Sequence, residues 1–389
     1  MFNSNLRPRH GGQLHGSAAS RISAILMSAT TPPASMDMDK VQKFAFKVLA
    51  DVTAAQMGPL NLVADRLGLF GKLAAAGKLT SAEFAAHAGI QERYALEWLS
   101  AMACHGYVHY DDATKKFWLP AEHAFCLSDA DSPMYLGSLF AMAQPYWANV
   151  ELLAQAMQHG GGVPQDRYGE HFWCGFERFT RTGFRNNLAQ DWIPALPEAH
   201  ARLQGGGSVA DVGCGNGQAL LFLATAFPKA TCVGYDNFQP AIDAANANAR
   251  AGGFADRVRF EMCDVVHNIP GLFDLITTFD VVHDMPRPRP ALKSIKEALK
   301  PGGTYFVLEF NFSGDLQKNI DHPMGIGAFG YSASMNYCMT QALAVGGEGT
   351  GTCMGEEKAR ELAREAGFGQ FRRIDFPRNP FNLFYEIRV

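Results

Sequence analysis

The chain has 389 residues, 47% of them hydrophobic, and a formal net charge of −4. That length accommodates two or three domains with sizeable cores, and the charge gives no general attraction to polyanions. Its eight cysteines form no C-x-x-C pair, and no apolar run approaches the roughly 18 residues of a membrane span; a cytoplasmic protein without zinc, disulfide framework or membrane segment is expected.

Residues 1–36 carry three arginines, no acid, and much Ser, Gly and Ala. Transit peptides and disordered extensions share that composition, and a disordered tail without a targeting role is the expectation. Residues 37–130 then show helical spacing over 43–57 and 59–76, a helix opening at Thr80, another over 91–105, and two short apolar runs across Asp111-Asp112. Helix, turn, helix and hairpin together predict a winged-helix module. Nine bases and nine acids lie between residues 40 and 130, and the second helix of the pair sets Glu92 and Glu97 against Arg93. A DNA reader presents a basic footprint, so dimerisation is expected here and nucleic acid is disfavoured as a partner.

Residues 131–200 read as a helical connector. Tyr168, His171, Phe172, Trp173, Phe176 and Phe179 stand in its aromatic helix. Aromatics at that spacing build a core or wall a pocket, and Tyr168 and His171 are carried as candidate substrate contacts.

The region 201–389 opens on Val209-Ala210-Asp211-Val212-Gly213-Cys214-Gly215-Asn216-Gly217. An apolar strand ends in glycines at every second position, where the chain turns tightly and its backbone can approach a ligand. The spacing differs from the G-x-G-x-x-G of a dinucleotide loop. A second strand ends in Asp236, nineteen residues past Gly217, where an acid can take ribose hydroxyls. Asp264 follows a third strand, as a ligand contact or as a helix cap. A fourth strand spans 273–280, and Lys300-Pro301-Gly302-Gly303 separates a helix from a fifth.

This order of landmarks resembles the core of class I S-adenosylmethionine-dependent methyltransferases over about residues 205–312. The resemblance implies an α/β fold, a Rossmann-like seven-stranded methyltransferase core, with S-adenosyl-L-methionine as cofactor. It assigns cofactor binding to Asp211, Gly213, Gly215, Gly217, Asp236, Asn237, Asp264, Val265 and Asp280, with Asp264 on the adenine amino group. Val281-Val282-His283-Asp284 resembles the H-D dipeptide of plant phenolic and hydroxyindole O-methyltransferases, which also carry a winged-helix dimerisation domain and use that histidine as general base. An imidazole of ordinary pKa about 6.5 can accept an alcohol or thiol proton at neutral pH. The alternative is a structural turn, with Asp284 as an ordinary helix N-cap. His283 and Asp284 are therefore the candidate catalytic residues, and no metal is required for an in-line methyl transfer.

Across residues 40–389 the chain most resembles winged-helix methyltransferases of the Rv2258c-like kind, through His283-Asp284-Met285, Asn319-Ile320-Asp321-His322-Pro323, Tyr331-Ser332-Ala333-Ser334, Cys338-Met339-Thr340 and Phe381-Asn382. It departs from them at Tyr337, where that family has a histidine. Residues 313–354, rich in Gly, Met and Ser, are too apolar for a linker and read as a lid. His322, Tyr331, Asn336 and Tyr337 are its candidate substrate contacts, with dimer packing as the alternative. Phe371–Phe376 and Phe384–Val389 predict a closing hairpin.

The sequence is compatible with three functions. The first is methyl transfer to an oxygen, sulfur or nitrogen of a small molecule, by a homodimer joined through the N-terminal domain. The second is a winged-helix regulator sensing S-adenosylmethionine, and the third a nucleic-acid methyltransferase. The third lacks the Asn/Asp-Pro-Pro-aromatic turn expected after strand four, where Phe279-Asp280-Val281-Val282-His283 stands.

Overall fold

A computed structural model describes residues 36–389; the tail expected over 1–36 lies, Met36 apart, outside the described residues. The first helix, Met38–Leu67, runs through Pro59, where the sequence predicts a break. Proline removes one i→i−4 bond, but the chain turns only at Gly68, whose φ of 65° is left-handed and opens the helix Leu69–Ala76. Residues up to Gln56 form one unit and residues 57–389 another. In the first unit Val41, Phe44, Val48 and Val52 are exposed along the helix.

In the second unit the helices Ser81–Ala88 and Glu92–Cys104 follow, then strands β1, His109–Asp111, and β2, Lys116–Trp118. The strands pair antiparallel as the predicted wing. Thr80 and Glu83 form a reciprocal capping box, which satisfies two helix-end donors. Phe70, Leu73, Phe84, Trp98, Leu99 and Met102 fill a core of their own. The helices Leu139–Ala148, Val150–His159 and Gly169–Gly183 come next. The last continues as a π-helical stretch, Phe184–Trp192.

The remaining strands are β3, Ser208–Val212; β4, Thr231–Asp236; β5, Val258–Met262; β6, Phe273–Phe279; β7, Leu299–Phe310; β8, Gln370–Ile374; and β9, Asn382–Arg388. They form one sheet in the order β5-β4-β3-β6-β7-β9-β8. β9 runs antiparallel to β7 and β8, while the pairings from β5 through β7 are parallel. Alternate residues serve two layers. Val209, Leu275, Phe306 and Leu308 pack with one apolar cluster, and Ala210, Ile276, Tyr305 and Val307 with the other. A sheet covered on both faces buries its central strands at every position, as in Phe273–Phe279, where Thr277, Thr278 and Asp274 are buried with their apolar neighbours. The strand order reverses between β3 and β6, and ligands of open α/β sheets bind outside the carboxyl ends at such a reversal.

Candidate active site

A cleft of about 560 Å³ opens at that reversal, over the carboxyl ends of β3, β4, β5 and β6. Its floor is the glycine turn. Gly213, Gly215 and Gly217 have φ of 72°, 49° and 81°, angles that side chains resist. A Cβ would stand 2.6 Å from Val281 at Gly213 and 2.4 Å from Phe260 at Gly217, whereas at Gly215 it meets nothing within 4 Å. Two glycines thus answer to packing. Gly215 leaves its backbone open on the cleft.

The acids at the strand ends hold this turn. Asp236 accepts from Gly215 N at 3.0 Å and from Phe238 N at 3.0 Å, and Tyr235 O receives Gly213 N and Cys214 N. Asp211 accepts the Thr277 hydroxyl at 2.6 Å. Burial pushes its carboxyl up to about 7, with that hydroxyl opposing. Asp264 accepts from Val266 N at 3.2 Å, and Arg287 stands 3.4 Å away. Asp280 adopts a left-handed φ of 56°, a strained angle for a residue with a side chain. Burial raises its carboxyl well above the usual carboxylate range, and the nearby Glu309 adds to this.

After β6 the chain makes a 3₁₀ turn, Val282–Asp284, and the next helix begins only at Pro288, with Arg287 as its N-cap. Asp284 therefore does not cap a helix. The two members of the dipeptide part here. Asp284 lines the cleft; His283 does not. The His283 imidazole is buried, with Nδ1 2.5 Å from Glu309 Oε2 and its ring against Phe310. Burial alone would lower its titration, but the carboxylate of Glu309 and the hydrogen-bonded Cys338 hold it well above the ordinary imidazole value. The Asp284 carboxyl is pushed up to about 7 by burial, against the pull of His283.

Of the expected cofactor residues, Asp211, Gly213, Gly215, Asp236, Asn237, Asp264, Val265 and Asp280 line the cleft together. Gly217 starts the helix Gln218–Ala226 instead. The expected substrate contacts scatter. Tyr337 is on the cleft wall, where its ring packs 4.9 Å from Tyr168. Tyr168 is buried behind it and donates to Asn336 O at 2.5 Å. His171 is solvent-exposed on its helix. His322 lines a separate polar cleft beside Asn311 and Arg360, Asn336 donates to Ser332 O in its own helix, and Tyr331 accepts from Asn319 at 3.1 Å. Chain proximity inside an insertion fails to predict these positions because the insertion is helical. It comprises Leu316–Ile320, Gly327–Ala333, a π turn Ser334–Cys338 and Met339–Ala344, and a helix turns most of its residues away from any one surface.

Gln341, Phe238 and Glu177 line the cleft without having been singled out in the sequence, while Trp173 takes the pocket-wall place offered to its helix. Gln341 donates to Asp284 O at 2.5 Å, Trp173 and Phe238 face each other with centroids 5.2 Å apart, and Glu177 reaches the end of the glycine turn. Behind the wall, Glu309 does carry a signal: it is the lone charge between Leu308 and Phe310 in an apolar strand.

Residues 203–367 match the family described as a methyltransferase domain, and residues 56–129 match the Rv2258c-like winged helix-turn-helix domain. The chain joins a methyltransferase domain to an Rv2258c-like winged-helix domain. A ubiquinone biosynthesis O-methyltransferase of Dechloromonas aromatica is 27% identical over 150 residues, 38% of this chain and 62% of that protein. The curated relatives are matched over 25% to 62% of their own length. Among solved structures, an O-methyltransferase family protein from Burkholderia thailandensis superposes with a TM-score of 0.62 at 17% identity, over 91% of this chain and 99% of that one. Human N-acetylserotonin methyltransferase, solved with S-adenosylmethionine, gives 0.63 at 17%, over 92% and 99%. The structural likenesses establish the fold.

Proposed function

We propose that this methyltransferase moves the methyl group of S-adenosylmethionine to an oxygen, sulfur or nitrogen of a small molecule. The observation that carries the reading is the glycine turn at the reversal of the sheet, open at Gly215 and ringed by Asp211, Asp236 and Asp264. Those donors and acceptors suit a nucleoside with an amino-acid tail. Asp236 is placed for the ribose, Asp264 for the adenine amino group, and the turn for the tail. S-adenosylmethionine supplies an electrophilic methyl on a sulfonium, so the protein has to align the acceptor and remove its proton. Aromatic walls from Trp173, Phe176, Phe184 and Tyr337 give a flat apolar acceptor its place.

His283 is the general base in this reading, and Glu309 orients its imidazole and favours its protonated form. A second reading rests on one observation: Asp284 alone of the pair lines the cleft, with a carboxyl poised near neutrality where a base is both free and strong. Calorimetry with S-adenosylhomocysteine tests the donor assignment, and a folded protein that does not bind it overturns the reading. With an acceptor found by a labelled-donor metabolite screen, His283→Ala lowers turnover by about 10²-fold or more while donor affinity holds. If Asp284→Asn gives that loss and His283→Ala does not, the base is Asp284.

Eight unpaired cysteines suit a cytoplasmic location, and among the described residues no helix is long and apolar enough to cross a membrane. A homodimer through the N-terminal helix belongs to the same reading, because Val41, Phe44, Val48 and Val52 leave an apolar stripe uncovered. The winged-helix module does not favour DNA: Arg93 on its second helix is ion-paired with Glu97.

A further inference from the structure

Glu177 and Arg178 are neighbours on the helix Gly169–Gly183 and serve different domains. Glu177 lines the cleft, and its two carboxylate oxygens accept from Asn216 Nδ2 at 2.6 Å and Gln218 Nε2 at 2.8 Å. Both partners flank Gly217, where the glycine turn becomes a helix. Arg178 donates through both terminal nitrogens to Asp65, at 2.9 and 2.7 Å, and the Tyr135 hydroxyl stands 3.5 Å away. Asp65 belongs to the helix that leads into the winged-helix core. Its carboxylate is mostly buried, at 17% exposure. A two-pronged guanidinium–carboxylate pair fixes orientation as well as distance. Gly175 fixes depth, since a Cβ there would stand 3.0 Å from both Ala141 Cβ and Ser138 O. The helix bearing Glu177 is thus held in rotation by one domain while its acid reaches into the other.

The amino-acid tail of the donor carries an ammonium group, for which a carboxylate near the glycine turn is the strongest acceptor. Asp211 is committed to Thr277 inside the sheet. Asp236, at the end of β4, is assigned to the ribose hydroxyls in the donor reading, and both its oxygens already hold backbone amides of the turn. Each oxygen of Glu177 accepts a single bond, and a carboxylate oxygen can accept two.

We propose that Glu177 accepts the α-ammonium of bound S-adenosylmethionine and that the Asp65–Arg178 pair positions it, so that the winged-helix domain takes part in holding the methyl donor. The proposal rests on the donor assignment above and is separable from it. 5′-Methylthioadenosine shares the adenosine and sulfur of S-adenosylhomocysteine but lacks the amino-acid tail.

Calorimetry on the full chain with both ligands is the test. Glu177→Gln raises the Kd of S-adenosylhomocysteine about tenfold, the loss of one charged hydrogen bond, and leaves that of methylthioadenosine within twofold. Asp65→Asn raises the former about threefold, again without touching the latter. Equal losses on both ligands mean that Glu177 only shapes the turn and overturn the contact. Unchanged S-adenosylhomocysteine binding in Asp65→Asn overturns the positioning role, and in Glu177→Gln it overturns the whole proposal. Should Glu177→Gln fail to fold, Glu177→Asp keeps the charge one methylene back and gives an intermediate loss confined to the tailed ligand; a loss on both ligands counts against the contact. A wild-type protein that binds neither ligand fails the donor assignment first.

Discussion

His283 and Glu309 form a buried pair whose two effects oppose each other. Removal from water disfavours an imidazolium, and a carboxylate 2.5 Å from Nδ1 more than restores it. The basic form of His283 therefore appears only above a titration point raised from the ordinary value. If His283 is the base, turnover climbs through that point as pH increases. Glu309→Gln removes the raising charge and leaves the burial, so the ascending limb of the pH–rate profile moves to lower pH while the maximal rate falls. A limb that stays in place in this variant assigns the titration to another group, Asp284 first. The place of His283 just after a strand was legible in the sequence, because the H-D dipeptide follows an apolar run of the expected register. Its orientation was not. Which of two adjacent side chains faces a cleft depends on the angles of a three-residue turn, and nothing in Val281–Met285 declares them. Glu177 was hidden for a different reason: within an aromatic helix, an acid followed by an arginine reads as a solvated pair.

Single elements show where local pattern and tertiary context part. The strands were readable, since β-branched and aromatic runs ending in Asp211, Asp236 and Asp280 leave few alternatives. The helix Met38–Leu67 was misread at Pro59, because the break depends on the left-handed angle of Gly68. The insertion over 313–354 was expected as a loop-like lid and is largely helical. Its anchorage is specific: Gly351 N donates to His283 O and Glu348 N to Pro286 O, both at 2.8 Å, so it is tied to the segment that follows β6. At the opposite end of the sheet Asp274 in β6 receives Lys300 at 2.7 Å, Arg202 at 3.0 Å and Ser208 N at 2.9 Å. Burial would raise its carboxyl, but these donors bring it down to about 2. A depressed carboxyl stabilises the fold above its unfolded value, and that contribution is lost as pH falls through about 2. Asp274→Asn should cost about 2 kcal/mol at neutral pH, read as a lower midpoint in urea, and its stability should depend less on acidification than that of the parent. A midpoint matching the parent's at neutral pH would show that this cluster adds nothing to the sheet.

At the scale of the whole molecule the apolar stripe of the first helix is the feature with the plainest consequence. Phe44 is 67% exposed and Val48 44%, on the part of the helix that belongs to the first unit. The double variant Phe44→Glu/Val48→Glu should convert a dimer into a monomer by light scattering, with donor binding retained. A parent protein that is already monomeric at micromolar concentration would dismiss the stripe as an interface. The charge of the cleft reaches further. Glu177, Asp211, Asp236, Asp264, Asp280 and Asp284 line it, and Arg287 is the single cation among its lining residues. Burial holds the Asp280 carboxyl well above the usual range and lifts those of Asp211 and Asp284 to about 7, so the cleft gains negative charge as pH rises, and with it a preference for a ligand with a positive sulfur over the same ligand with a neutral one. Once the methyl has left, what remains in the cleft has lost the charge that these walls favour. In this reading the spent donor is the weaker tenant of its own site, and the composition of the walls favours its release.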